Sequence, residues 1–296
     1  LAVGGGSVID GTKFVAAAAC FDGEPWDILL QRGRNVQRAL PLASVLTLPA
    51  TGSEMNNGGV VTRKSTQAKL SFSSVHCFPQ FSVLDPTKTY TLPPAQIANG
   101  LVDAYVHVME QYLTYPVQAR PQDRFAEGLL QTLVEIAPGA LAEPPDYDHR
   151  ANLMWTATLA LNGLIGAGVP QDWATHMIGH ELTALYGIDH ARTLAIVLPS
   201  LMQSQRAAKR DKLLQYAERV WHVSGGTEDE RIDAAITHTR AFFESVGIPT
   251  RLSAYGLGRE AVDAVVAQLT AHGMLKLGEH RSITPEISRA ILEAAL

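Results

Sequence analysis

The chain opens Leu1-Ala2-Val3-Gly4-Gly5-Gly6-Ser7-Val8-Ile9-Asp10-Gly11-Thr12-Lys13-Phe14. The apolar start reads as the end of a buried strand, the glycines as a tight turn, and residues 9–19 as a helix. A strand, a glycine turn and a helix make a phosphate-binding unit. Backbone N–H groups without side chains can approach a pyrophosphate, and the helix N-terminus adds a favourable field. GGGS alone also fits an ordinary strand-to-helix turn. A central strand at the very start, with no initiator Met, leads us to expect a piece of a longer protein whose nucleotide-binding part is truncated.

Outward from this segment, residues 25–41 (PWDILLQRGRNVQRALP) read as a polar loop and residues 44–48 (SVLTL) as a short buried strand leading to Pro49. Residues 49–64 (PATGSEMNNGGVVTRK) are dense in glycine and small polar side chains and read as a loop with functional potential. Residues 69–73 and 80–84 look like two further strands. Beyond residue 92 the texture changes to long Ala- and Leu-rich stretches at helical spacing. Helices are expected over 94–113, 119–136, 150–164, 173–186, 204–223, 228–246, 259–271 and 284–295, the last with Pro285 in its first turn. The fold class is therefore an α/β, Rossmann-like part over residues 1–90 followed by an all-α part over residues 91–296.

The bulk numbers exclude several classes. At 296 residues the chain is long enough for two cored domains. Its net charge of −5 and the lack of a dense Lys/Arg run argue against nucleic acid as a partner. Two cysteines, Cys20 and Cys77, cannot make a disulfide framework and read as reduced thiols of a cytoplasmic protein. The uncharged stretch 151–171 is broken by Asn, Thr, Gly and Pro, so it reads as a core helix and not as a membrane span.

The chemistry is concentrated in the helical part. In GLVDAYVHVME (residues 100–110) Asp103 and His107 stand four apart, which puts both on one helix face. In DWATHMIGHELTALYGIDHA (residues 172–191) His176 and His180 repeat that spacing, and His190 follows Gly187, where a helix can end. Burying three imidazoles in an apolar segment would leave several hydrogen bonds unmet unless they served a purpose. One carboxylate and three imidazoles suit Zn2+ or Fe2+ and not the oxygen-seeking Ca2+ or Mg2+. The set Asp103, His107, His176 and His190 is therefore the candidate metal site. A protease pattern, HExxHxxGxxH, fails at its middle ligand, where this chain has Ala184. His76, His149, His222, His238 and His272 have no partner at a telling spacing.

With these residues in view, the sequence resembles the iron-containing (group III) alcohol dehydrogenases, and within them the NADP-dependent, broad-specificity aldehyde reductase branch. The resemblance runs through GGGSVIDGTKF (4–14), TLPATGSEMN (47–56), residues 83–113, residues 172–199 and LGEHRSITPEISRAIL (277–292). It implies a dehydroquinate synthase-like fold whose nucleotide-binding part is completed by a preceding segment. It implies Asp103, His107, His176 and His190 as ligands of one divalent metal, Fe2+ or Zn2+. Gly5, Gly6 and Ser7 would meet the pyrophosphate of NADP(H), Thr47, Thr51 and Ser53 the phosphates or the nicotinamide side, and Lys69 the cofactor ribose. Many members have glycine after the last histidine; Ala191 departs from that, as the aldehyde-reductase branch also does.

The expected activity is interconversion of primary alcohols and aldehydes by hydride exchange with NADP(H), mainly as an aldehyde reductase. His180, one turn from His176, would orient substrate or relay the proton. A homodimer acting on a small alcohol or aldehyde, without nucleic acid or membrane, completes the expectation. The alternatives are a glycerol-dehydrogenase-like polyol dehydrogenase and a metal-binding fragment without turnover.

Overall fold

The computed structural model describes residues 1–296. In chain order the elements are β1 (Ala2–Gly5), α1 (Gly6–Ala18), a short α2 (Asp27–Leu30), β2 (Ser44–Leu48), β3 (Gly58–Arg63), β4 (Ala68–Ser73) and β5 (Ser82–Leu84). Nine helices follow: α3 (Pro94–Tyr112), α4 (Arg120–Ala140), α5 (Tyr147–Leu161), α6 (Ala174–Tyr186), α7 (His190–Ser204), α8 (Arg210–Arg219), α9 (Glu228–Ser245), α10 (Arg259–Ala271) and α11 (Pro285–Glu293). An α/β part with a parallel sheet thus precedes a helical part. No helix is long and apolar enough to cross a membrane.

The chain divides into two compact units. The first comprises Leu1–Ala104 and Ile136–Leu164. Its parallel sheet has the order β1-β2-β5, with Val3 beside Val45 and Val45 beside Val83. The register slips between Gly4 and Gly5, where β1 hands over to α1. Ile9 of α1, Ala2, Leu46 and Met154 close on the sheet. A second apolar cluster, with Ala17, Ile28, Leu29, Phe72 and Cys77, packs α1 and α2 against the β3–β4 hairpin.

That hairpin corrects the reading of residues 49–64 as loop throughout. β3 pairs antiparallel with β4, Val61 opposite Leu70 and Thr62 opposite Lys69. The β-branched run Val60-Val61-Thr62 favours a strand, but the glycines before it mask the signal. Gly59 is needed there because a Cβ would stand 2.9 Å from the Phe72 ring.

The second unit comprises Tyr105–Glu135 and Ile165–Leu296. Its main apolar cluster joins α6, α7, α10 and α11 through Ile178, Leu182, Ile196, Val262, Leu269 and Ile291. Each such side chain contributes about 1.5–3 kcal/mol on burial. Helix ends follow the sequence cues: Gly187 closes α6 in the left-handed conformation at φ 68°, and Thr227 with Glu230 forms a capping box on α9. Helix α7, which the sequence reading leaves without a helix of its own, is the second correction. It is buried on nearly every side from Ala191 to Met202 and contains Pro199, a residue that in a sequence argues against a helix interior.

Candidate active site

β1 runs into α1 through Gly5, which starts the helix without a side-chain hydrogen bond. The first turn therefore presents bare N–H groups, the arrangement that attracts phosphate. Glycine at position 6 is enforced by crowding, because a Cβ there would lie 2.5 Å from both Cγ2 and Oγ1 of Thr51. The turn thus lies against the loop after β2. Of the residues expected at the cofactor, Ser7 is exposed, Gly5, Thr47, Thr51 and Lys69 are half-buried, and Gly6 and Ser53 are buried.

Beneath this turn is a polar network that sequence reading missed. Ser53 is only 1% exposed. Its hydroxyl donates to Asp10 Oδ1 at 2.5 Å and accepts from Lys13 Nζ at 2.9 Å. Its side chain accordingly faces the interior of the first unit. Lys13 also donates to Asn56 Oδ1 at 2.9 Å and to the carbonyl of Gly58 at 2.7 Å, and Val60 N donates to Asp10 Oδ2 at 2.8 Å. Burial lowers the Lys13 amine to about 8, against the pull of Asp10 and Glu54, and raises the Asp10 carboxyl. The available signal was that Asp10 and Lys13 fall on the buried stripe of α1 with Ile9, Ala16 and Ala17. Lys69, on β4, is likewise lowered to about 8 by burial, with Asp103 and Asp10 opposing.

Helix α3 carries Asp103 and His107 and helix α6 carries His176. All three are buried, with one ligand-type atom from each lying within 4.8 Å of the others. The His107 and His176 rings stack, centroids 4.7 Å apart and planes 21° apart. His190, the first residue of α7, is half-buried with its ring centroid 5.1 Å from that of His176. It stands beside the three without belonging to that close group. His180 is buried, 4.9 Å from the His190 ring and 6.1 Å from that of His176. A carboxylate and neighbouring imidazoles gathered out of water are a donor set for Zn2+ or Fe2+, so the residues fit a divalent metal.

The entry to α6 is held from several directions. Trp173 precedes the helix at φ 64°, and its ring lies edge-on to His176 at 5.3 Å and 6.2 Å from His107. A left-handed tryptophan costs of order 1–3 kcal/mol and persists only where its surroundings enforce it. Asp172 Oδ1 accepts the N–H of Ala174 at 2.7 Å, while its Oδ2 meets Lys209 Nζ at 2.7 Å. The same buried ammonium is 2.7 Å from Glu279 and donates to the Leu113 carbonyl at 2.8 Å. Glu110, three residues beyond His107, accepts the N–H of Thr175 at 2.6 Å and that of His176 at 3.3 Å. Burial and nearby Asp172 drive its carboxyl well above the usual range. Next to His180, Glu181 accepts from or donates to His272 Nδ1 at 2.7 Å, an ion pair when that ring is protonated.

This chain belongs to the iron-containing alcohol dehydrogenase family. Residues 1–86 match the family model described as iron-containing alcohol dehydrogenase, and residues 97–296 match the C-terminal model of the same family. The chain is 62% identical to the NADPH-dependent aldehyde reductase YqhD of Escherichia coli, over all of this chain and 77% of that protein. It is 41% identical to the probable NADH-dependent butanol dehydrogenase 1 of Bacillus subtilis, over all of this chain and 76% of the relative. A crystal structure of E. coli YqhD superposes with a TM-score of 0.98 at 61% identity, covering 99% of this chain and 76% of that one. Family membership makes the protein an oxidoreductase that uses a nicotinamide cofactor and a divalent metal.

Proposed function

We propose that this chain is an NADPH-dependent aldehyde reductase that also runs as a primary-alcohol dehydrogenase, with Asp103, His107, His176 and His190 holding one Fe2+ or Zn2+. The observation that carries this reading is the buried gathering of Asp103, His107 and His176 in a chain whose β1–α1 turn is shaped for phosphate. When bound, the metal supplies a Lewis acid for the substrate oxygen and NADPH supplies the hydride, giving alcohol and NADP+ after uptake of one proton.

The chain's own residues do the rest. Gly5, Gly6 and Ser7 would meet the pyrophosphate, with the field of α1 behind them. Thr47, Thr51 and the Ser53 loop would border the phosphates and the nicotinamide side, and the Lys69 amine would serve the ribose. His180 orients the substrate and passes the proton to the nascent alkoxide oxygen. NADPH over NADH follows the 62% identical relative, whose name specifies NADPH, over the 41% identical one, whose name specifies NADH. The same reading carries a cytoplasmic homodimer, to which two free thiols are suited.

The test is oxidation of NADPH and of NADH by the metal-loaded protein with a series of short aldehydes. A higher kcat/KM with NADPH is expected, and a His180→Ala variant should lose most of kcat. No turnover with either cofactor at millimolar aldehyde would overturn the proposal.

A further inference from the structure

We propose that Glu110 is a positioning residue of the metal centre, holding His176 in the tautomer whose Nε2 faces the metal. The inference rests on the metal reading above and concerns a residue outside the ligand set.

Asp103, His107 and Glu110 follow one another at spacings of four and three on α3, so they share a helix face. The Glu110 side chain is 3% exposed and the His176 side chain 6%. Its Oε1 is claimed by two peptide donors, Thr175 N and His176 N, at the start of α6. That end of a helix favours a carboxylate. With Oε1 fixed, Oε2 is brought against Nδ1 of His176 in a short contact. A cation held beside this carboxylate keeps it ionised, so Oε2 accepts and the imidazole carries its proton on Nδ1 and its lone pair on Nε2. Nε2 is then the nitrogen whose lone pair can serve a cation beside Asp103 and His107. One face of α3 thus supplies two ligands and the group that aims a third.

A purely structural carboxyl would need only to receive the two peptide N–H groups. Glutamine can do that through its carbonyl oxygen, but its amide NH2 would then meet Nδ1. Nδ1 would have to accept, the proton would move to Nε2, and a protonated Nε2 cannot bind metal. Glu110→Gln is therefore nearly isosteric and separates the two roles.

The experiment measures Zn2+ affinity by chelator competition on metal-stripped wild type, Glu110→Gln and His107→Ala, with melting temperatures of the stripped proteins alongside. Loss of such an orienting partner costs 10–100-fold in metal affinity. The expectation is that fold-loss in Glu110→Gln, with the melting temperature of the stripped protein close to wild type. Wild-type Zn2+ affinity in Glu110→Gln, while His107→Ala loses it, would overturn the Glu110 role alone. Failure of wild type to bind, or undiminished binding by His107→Ala, would overturn the metal reading beneath it. Nitrogen-15 chemical shifts of the His176 ring in Zn2+-loaded wild type supply a readout that needs no variant at Glu110. A proton on Nδ1 supports the proposal, and a proton on Nε2 contradicts it.

Discussion

Replacing Lys13 by Met tests whether the buried network under the glycine turn supports the nucleotide side of the molecule. Lys13 is fully buried. Its amine falls from its ordinary 10.5 to about 8, which corresponds to about 3 kcal/mol against the charged form. The substitution removes that penalty but withdraws the donor from Ser53 Oγ, Asn56 Oδ1 and the Gly58 carbonyl. A hydrogen bond from a charged donor is worth about 1.5–3 kcal/mol, so losing three costs roughly 6, even though Asn56 Oδ1 keeps the Gly58 N–H and the Ser53 hydroxyl keeps Asp10. The net expectation is a loss of roughly 3 kcal/mol in urea unfolding at neutral pH, read from the linear extrapolation.

The sign with pH is also fixed. Between pH 8 and 10.5 the unfolded lysine is protonated and the folded one is not, so the Lys13 contribution to stability rises with pH. Below pH 8 both forms are charged and the penalty is complete. The difference between wild type and Lys13→Met should therefore widen by about 3 kcal/mol across that window. A neutral-pH difference below about 1 kcal/mol, or one that narrows with pH, refutes the account of this network.

Three further outcomes follow from contacts already described. Gly6→Ala drives a methyl into Thr51, and overpacking of this kind costs about 1–3 kcal/mol; it should raise the KM for NADPH more than that for aldehyde, and an unchanged cofactor KM contradicts it. Lys209→Met leaves Asp172 and Glu279 facing each other without their cation. Breaking such a buried pair costs about 3–5 kcal/mol, visible in the unfolding midpoint, and a wild-type midpoint would show that the cluster is not coupled to folding. His190→Ala should lower both the metal bound and aldehyde turnover; full turnover at unchanged metal content removes His190 from the ligand set.

How far the sequence could be read depended on what each segment faces. β2 and α10 are legible to the residue because an apolar run or an amphipathic stripe ends at clear breakers. β3 hides behind Gly58 and Gly59, which look like loop residues in isolation, although the missing side chain of Gly59 admits the Phe72 ring. α7 is buried on nearly every side from Ala191 to Met202 and carries Pro199, which reads as a helix breaker in isolation. At the site, helical spacing alone placed Asp103 and His107 on one face of what is indeed a continuous helix. The supporting residues were harder to see. Asp10, Lys13, Lys209 and Glu110 are charged, and charge in a sequence reads as solvent exposure. Only the tertiary structure shows each of them buried against a specific partner.

The measurement that bears most directly on the central claim is metal stoichiometry by elemental analysis of purified wild type and His107→Ala. The account predicts one equivalent of iron or zinc per chain in the wild type and almost none in the variant. Equal metal in both, or wild type that reduces aldehydes with NADPH after its metal has been stripped, would contradict it.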